Sequence, residues 1–233
     1  MGDILGLVSI GQSPRPDYVR AFQKYAPGVE VRVVGALDDL SVSEIQELAA
    51  KPASYPLLTR LADGSHVEID LALLSPLVNR KAISLSESGA GLIVVMCAGG
   101  FPDVTCGAPV ILPGKVLPAV LAAVCTSRRI GIVTPVKAQA PAAEAKWRED
   151  GFTPIVTWAA PHDTIQMRQA AKEMCGDDLE VVVLDCMGHD ENYRTDFARL
   201  CGRPTLLAQS LVARIAGEWV TNSDSTDINS SEH

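Results

Sequence analysis

The stretch Gly91–Cys97 reads GLIVVMC, an unbroken apolar run that ends in a cysteine. A second stretch, Glu180–Cys186, reads EVVVLDC and ends in the same way. Short runs rich in Val, Ile and Leu are typical of strands buried on both faces of a parallel sheet. The two stretches therefore predict two equivalent strands, each of which delivers a cysteine at its carboxyl end.

A second pair of similar segments precedes these strands along the chain. Gly6–Ser9 (GLVS) resembles Gly131–Thr134 (GIVT). Gly6 lies 91 residues before Cys97, whereas Gly131 lies 55 residues before Cys186. The difference of 36 residues equals the length of the stretch 41–76. The pattern predicts two related halves, the first of which carries an insertion.

Strand-like and helix-like segments alternate along the rest of the chain, which predicts an α/β fold with parallel sheets and right-handed crossovers. The predicted strands are Ile4–Ile10, Val31–Val34, Gly91–Met96, Arg129–Val133, Ile155–Trp158, Val181–Leu184 and Thr205–Ala208. The predicted helices are Asp17–Tyr25, a longer one that ends over Ser84–Ser88, Pro118–Cys125, Ala138–Asp150, Thr164–Cys175, Asp190–Leu200 and Ser210–Val220.

The insertion contains a hairpin signal. Asp63-Gly64 lies between two short runs within residues 55–70, and both turn residues tolerate a positive φ angle. We expect a first half made of residues 1–115 and 209–220, with the hairpin at about 55–70. We expect a second half over 116–208 and a flexible, polar tail over 221–233.

Composition excludes several classes of function. The chain has 233 residues, of which 47% are hydrophobic and 21% charged, so it can bury a large core. Its net charge of -8 argues against a nucleic-acid partner. No apolar run is long enough to span a membrane, and the N-terminus lacks a signal-peptide pattern. The six cysteines lack metal-ligand or disulfide spacing, so we expect reduced thiols, no metal and a cytoplasmic location.

The two strand-end cysteines are the candidate catalytic residues. Ligands of parallel sheets bind beyond the carboxyl ends of the strands. A turn of small residues follows each cysteine, Ala98-Gly99 in the first half and Met187-Gly188 in the second. We expect each turn to open into a helix, whose N-terminus lowers the thiol pKa and favours the thiolate. Two such thiols can move a proton on opposite faces of a carbon next to a carboxylate. The alternative is that both cysteines are small buried hydrophobes.

Other strand ends supply candidate binding residues for a small carboxylate. Arg15 offers a planar fork for this group, although it could instead pair with Asp17. Thr134 could bind the same carboxylate or cap a helix, and His189 could assist Cys186 or belong to a helix N-terminus. The full set of candidate binding residues is Ser9, Gly11, Gln12, Ser13, Arg15, Ala98, Gly99, Thr134, Met187, Gly188 and His189.

Three motifs resemble those of AroM-family proteins. They are the opening Ser9–Asp17 (SIGQSPRPD), the turn Cys97–Phe101 (CAGGF) and the second cysteine motif Val183–Gly188 (VLDCMG). The resemblance covers the chain from Ile4 to about Val220. The family is similar to the aspartate/glutamate racemase superfamily, which implies two pseudo-symmetric flavodoxin-like halves with a cleft between them. It also implies a cofactor-independent mechanism with two cysteines, carried over to Cys97 and Cys186.

The resemblance has a limit at the substrate. Amino-acid racemases of the superfamily have Cys-Asn-Thr at the first cysteine and Cys-Thr-His at the second. Here the motifs read Cys-Ala-Gly and Cys-Met-Gly-His, so the groups that bind an amino acid are missing.

The resulting expectation is an isomerase or racemase acting on a small carboxylate without a cofactor. A cysteine-dependent lyase or decarboxylase, a cis–trans isomerase and a non-catalytic ligand-binding protein are the alternatives. The oligomeric state is open, with a homodimer among the options.

Overall fold

The computed structural model describes residues 4–161, 163–175 and 178–221. Its strands are β1 Ile4–Ser9, β2 Glu30–Gly35, β3 Pro56–Arg60, β4 His66–Asp70, β5 Ala90–Met96, β6 Val110–Ile111, β7 Arg129–Thr134, β8 Thr153–Trp158, β9 Val181–Leu184 and β10 Thr205–Leu207. Its helices are α1 Pro16–Gln23, α2 Val42–Ala49, α3 Leu71–Glu87, α4 Pro113–Val124, α5 Ala140–Glu149, α6 Thr164–Cys175, α7 Glu191–Cys201 and α8 Ala208–Thr221. A short 3₁₀ turn, Lys137–Gln139, precedes α5.

Two parallel sheets form the framework. Their strand orders are β2-β1-β5-β6 and β10-β9-β7-β8. The inner strands β1, β5, β7 and β9 are almost wholly buried, because helices cover both faces of each sheet. The predicted α/β class with one parallel sheet in each half is confirmed, and every predicted strand is present.

The two sheets repeat one topology. β1 lies between β2 and β5 in parallel pairing, and β7 lies between β8 and β9 in the same way. The similar segments GLVS and GIVT therefore belong to equivalent central strands, β1 and β7. The two cysteine-terminated runs belong to the equivalent neighbours β5 and β9.

The inserted hairpin is confirmed. β3 and β4 pair antiparallel, and Gly64 in the connecting turn has a φ of +88°. Its base is held by Asp70, whose Oδ2 accepts hydrogen bonds from the backbone N–H groups of Ser54 and Tyr55 at 2.6 and 2.9 Å. The Oδ1 atom of the same carboxylate caps α3 by accepting from the N–H of Ala72.

The first half contains one helix that the sequence analysis missed. α2 begins with a capping box in which the Ser41 hydroxyl accepts from the N–H of Glu44 and the Glu44 carboxylate accepts from the N–H of Ser41. This Ser-x-x-Glu pattern was visible in the sequence. The helix lies in the stretch 41–76, so the insertion is a helix followed by the hairpin.

One predicted helix is absent. A helix was expected directly after Cys97, but residues 97–109 are irregular and α4 begins only at Pro113. Pro102, Pro109 and the Gly99-Gly100 pair explain this, because proline removes a backbone donor and glycine disfavours a helix.

The boundary between the halves and the tail stay predictions. The expected division between residues 115 and 116 falls within α4, which packs on β5 and α8. α8 returns to the first half and packs on α1, where a Cβ added to Gly217 would lie 2.1 Å from the Tyr25 carbonyl oxygen. The predicted tail over 221–233 lies, apart from residue 221, outside the described residues.

One hydrophobic core joins the halves. A single cluster contains Leu5 and Leu92 of the first sheet together with Ile130, Trp147 and Val183 of the second half. The two halves therefore pack against each other through apolar side chains, and this packing fixes the position of the carboxyl ends of one sheet relative to those of the other. None of the helices within the described residues has the length and apolar character needed to cross a membrane.

Candidate functional site

A cavity of about 220 Å³ lies at the carboxyl ends of the inner strands. The segments that follow β1, β5, β7 and β9 line it, as expected for parallel sheets, and the β3–β4 hairpin forms part of its wall. Among the predicted site residues, the lining contains Gly11, Arg15, Cys97, Ala98, Gly99, Cys186, Met187 and Gly188.

Both predicted catalytic cysteines open into this cavity through turns of the same design. The N–H of Gly188 donates a hydrogen bond to the Cys186 sulfur at 3.3 Å. In the first half, the backbone N–H of Gly99 donates to the Cys97 sulfur. In each case the donor lies two residues after the cysteine, so the Cys-x-Gly turns are equivalent in geometry as well as in sequence.

The predicted lowering of the thiol pKa is wrong. Burial raises the pKa of Cys97 to about 12 and that of Cys186 to about 11, and the backbone N–H bonds only partly offset it. No helix begins at Cys97, and α7 begins five residues after Cys186, so neither sulfur lies at a helix N-terminus. A negative charge on Cys186 raises the pKa of Cys97 further, because the two thiols are close enough to interact. Both cysteines are therefore neutral thiols at neutral pH.

Arg15 lines the cavity and pairs with Asp17, the second of its two predicted alternatives. Its Nε and Nη2 atoms donate to the two carboxylate oxygens of Asp17 at 3.0 and 2.6 Å, while the guanidinium stacks on the Tyr18 ring at 3.6 Å. Burial alone would raise the pKa of Asp17, but the hydrogen bonds and charge of Arg15 lower it, so the pair stays ionised. Asp17 engages the Nε–Nη2 edge of the guanidinium.

Three other residues of the first loop have structural partners. The Ser9 hydroxyl accepts a hydrogen bond from the main chain two residues further on. Gln12 Oε1 accepts from the N–H of Ala62, and both the N–H and the hydroxyl of Ser13 donate to Asp38. These residues shape the loop and do not line the cavity within the described part of the chain.

Thr134 and His189 also lie away from the lining formed by the described residues. The buried Thr134 hydroxyl donates to the carbonyl of Val136 at 3.0 Å. The buried His189 ring lies 3.1 Å, through Nε2, from the carbonyl oxygen of Ala159 and packs on Tyr193 with ring centroids 4.3 Å apart. Both side chains support the loops that carry the cavity wall.

The structure adds residues that the sequence analysis missed. Several come from the hairpin, whose place over the cavity has no local signal in the sequence. The added lining residues include Tyr18, Arg60, Gly64, His66, Gln139 and Asp185. Asp185 did carry a signal, because it is an acid at the end of an otherwise apolar strand.

Asp185 is buried beside Cys186. Its Oδ2 accepts a hydrogen bond from Trp147 Nε1 at 3.2 Å, while Oδ1 has no partner among the described residues. Burial raises the pKa of this carboxyl to about 6, and the charge of nearby Lys146 opposes the rise. The described residues contain no group of three or more His, Cys, Asp or Glu side chains arranged to hold a metal ion.

Comparisons with known proteins agree with this architecture. The family model described as AroM protein matches residues 5–220. A comparison with curated proteins finds no match.

Solved structures of similar fold come from several enzymes. A glutamate racemase from Bacillus anthracis has a TM-score of 0.61 at 11% identity, with 95% of this chain and 82% of that chain covered. Unliganded arylmalonate decarboxylase has a TM-score of 0.59 at 14% identity, with 95% and 93% covered. Picrophilus torridus aspartate racemase has a TM-score of 0.58 at 11% identity, with 94% and 95% covered. At these identities the likeness concerns the fold.

Proposed function

The chain belongs to the AroM family, and from this premise we propose that it is a cofactor-independent, racemase-like isomerase acting on a small carboxylate. Cys97 and Cys186 are the proposed proton-transfer groups. The observation that carries the proposal is the pair of Cys-x-Gly turns, which lie at equivalent strand ends and open into one cavity. A chance pair of buried cysteines has no reason to share both a topological position and a sulfur–N–H bond.

The proposed reaction consists of two proton transfers. One cysteine, as the thiolate, takes the proton from the carbon next to the carboxylate and becomes a thiol. The planar enediolate that results takes a proton from the thiol of the other cysteine, which becomes the thiolate. Arg15 binds the carboxylate and stabilises the additional charge of the enediolate. No cofactor is needed for this balance.

A decarboxylase-type lyase is the second candidate, and the raised thiol pKa values favour it. In such a reaction the carbon–carboxylate bond breaks, carbon dioxide leaves, and a neutral thiol protonates the carbanion. A neutral thiol is the form that both cysteines adopt at neutral pH. A cis–trans isomerase with a nucleophilic cysteine needs the thiolate, as the two-base reaction does.

Proton exchange into deuterated water tests the proposal. Small carboxylates are screened with the wild type, and any turned-over substrate is then used with Cys97→Ser and Cys186→Ser. Serine cannot supply the needed anion near neutral pH, so each variant should lose isomerisation by at least about 100-fold. Each should still exchange the proton from its surviving face. Cys175→Ser, which changes an exposed cysteine on α6, is the matched control and should retain full activity.

The outcome separates the alternatives. Loss of activity in only one of the two cysteine variants indicates a lyase with one catalytic cysteine. If the wild type and both variants bind the ligand equally well and none of them turns it over, the chain is a binding protein. The pH profile adds a second criterion. The two-base reaction should accelerate about tenfold per pH unit between about pH 6 and about pH 9, because the thiolate fraction rises with pH. A reaction that uses only a neutral thiol should stay level over that range.

A further inference from the structure

The β3–β4 hairpin is tied to both halves of the molecule over the cavity. On the first-half side, the carbonyl of Arg60 accepts a hydrogen bond from the N–H of Gln12 at 3.0 Å. On the second-half side, Gln139 Nε2 donates to the carbonyl of Pro56 at 2.7 Å. The hairpin is therefore a built part of the cavity wall, positioned from two directions.

The hairpin brings two polar side chains to the cavity. Arg60 ends β3 and His66 begins β4, and the two residues are direct partners in the antiparallel register. The Arg60 guanidinium folds back toward the turn, where its Nη2 lies 3.9 Å from the position of a Cβ added to Gly64. Both residues therefore line the hairpin end of the cavity, with the Arg60 guanidinium close to the turn.

Two guanidinium groups share one carboxylate at this end of the cavity. Asp17 is held by Arg15 through two hydrogen bonds, whereas Arg60 Nη1 lies 4.0 Å from the same carboxylate. One carboxylate thus faces two guanidinium groups. Asp185, the acid in the described lining, lies instead beside the thiols, where its charge acts on Cys97 and Cys186. In a chain with a net charge of -8, two guanidinium groups that share one carboxylate beside a cavity favour the binding of an anion there.

We propose that Arg60 and His66 form a second anion subsite, so that the ligand of the cavity is a short dianion with one charged group at Arg15 and the other at the hairpin. This inference rests on the proposed function for the assignment of the first carboxylate to Arg15. The second group is a carboxylate or a phosphate, since a guanidinium fork and an imidazole N–H recognise both.

The spacing limits the length of the ligand. Arg15 Nη2 lies 2.6 Å and Arg60 Nη1 4.0 Å from the same Oδ2 of Asp17, so the two guanidinium groups are only a few ångströms apart. A cavity of about 220 Å³ suits a small ligand. A dianion with three or four carbon atoms matches guanidinium groups at this separation, whereas the charged ends of a longer, extended diacid lie too far apart.

The test compares the binding of dianions and matched monoanions by calorimetry. The probe pairs are malonate with propionate, succinate with butyrate, and 2-phosphoglycolate with glycolate; adipate is the long diacid. The wild type should bind at least one short dianion about tenfold or more tightly than its monoanion and than adipate. The pair that shows the difference identifies the second group as a carboxylate or a phosphate.

Variants assign the selectivity to the hairpin. Arg60→Gln keeps the backbone carbonyl that anchors the hairpin, and it should lower the affinity for the dianion about tenfold while changing that for the monoanion less than about threefold. Arg60→Lys should retain part of the selectivity, because it retains the charge without the fork. Arg148→Gln, which removes a surface arginine paired with Glu144, is the matched control and should bind as the wild type does.

Three results overturn the inference. The wild type binds dianions and monoanions equally, it binds neither, or Arg60→Gln loses affinity for both to the same extent. The proposed function fails separately. The double variant with Cys97→Ser and Cys186→Ser should keep the selectivity for dianions while losing turnover. If the selectivity depends on Arg60 but the wild type turns over no carboxylate, the anion subsite is supported and the isomerase proposal is refuted. If the wild type turns over a monocarboxylate and Arg60→Gln does not change that rate, the isomerase proposal is supported and the anion subsite is refuted.

Discussion

Asp185 shows how one residue at the end of a strand sets the electrostatics of the cavity. Its carboxyl is buried with one oxygen bonded to Trp147 and the other without a partner among the described residues. The equivalent position before Cys97 is Met96, so the acid breaks the pseudo-symmetry of the two cysteine motifs. Its charge raises the pKa of both thiols, which makes Asp185 a contributor to their neutral state.

The raised pKa of Asp185 predicts a pH-dependent stability. A carboxyl with a folded pKa of about 6 stabilises the fold fully below its ordinary pKa of 3.8, and this stability is lost as the pH rises through about 6. The free energy of unfolding of the wild type, relative to Asp185→Asn, should therefore fall by roughly 2 to 3 kcal/mol between about pH 4 and about pH 7. Urea unfolding at the two pH values measures this difference.

Glu149→Gln is the control for this comparison, since Glu149 is an exposed acid on α5. It should unfold with the same pH dependence as the wild type. If Asp185→Asn followed the wild type across the same range, the carboxyl would be ionised at no cost in the folded protein, and the burial argument would fail.

The hairpin is the element that converts an open strand edge into an enclosed site. The packing of the hairpin against the loop after β1 requires Gly11, because a Cβ at that position would lie 2.2 Å from the Arg60 carbonyl oxygen and 2.9 Å from the Arg60 backbone nitrogen. Both contacts are with backbone atoms, which cannot rotate away as a flexible side chain can. The glycine predicted to let a ligand approach the backbone therefore lets the hairpin approach it.

Gly11→Ala should displace the hairpin from the first loop. The expected loss in the free energy of unfolding is about 1 to 3 kcal/mol, because an overpacked contact must be relieved by a backbone shift. Hydrogen exchange of the β3 and β4 amides should become faster while that of β7 and β9 stays unchanged. Gly100→Ala is the control, since the added Cβ meets only the Lys146 side chain at 3.6 Å. Unaltered exchange in Gly11→Ala would mean that the hairpin is not seated on this loop.

At the scale of the whole molecule, the site depends on two repeated halves that share one core. The cluster that contains Leu5 and Leu92 also contains Ile130, Trp147 and Val183, so neither half buries its apolar surface alone. The chain also returns to the first half through α8, which packs on α1 after β10 has completed the second sheet.

The shared core predicts that the two halves unfold together. Urea unfolding followed by tryptophan fluorescence in a Trp219→Phe variant, in which Trp147 and Trp158 of the second half are the remaining reporters, should coincide with unfolding followed by far-ultraviolet circular dichroism. The most protected amides of β1 and β7 should then exchange with the same free energy. Two separated transitions would show that the halves are independent domains.

The local sequence pattern was sufficient to predict the strands, the hairpin and the repeat of the two halves. Apolar runs predicted the strands, the Asp-Gly signal predicted the hairpin, and the two similar segment pairs predicted the repeat, because each depends on residues that are neighbours in sequence. The same reasoning located the cysteines at strand ends. It missed α2, although its capping box was readable, and it predicted a helix after Cys97 that Pro102 and Pro109 prevent.

The properties of the cavity depended on contacts between residues far apart in the chain. Burial, which sets the pKa of Cys97 and Cys186, is supplied by segments from both halves, so the thiol pKa values rose where a local helix-dipole argument predicted a fall. The placement of Arg60 and His66 beside the segment after β1 follows from how the hairpin folds back over the sheet. Solvent exclusion and charge proximity are properties of three-dimensional neighbourhoods, and only the tertiary structure defines those.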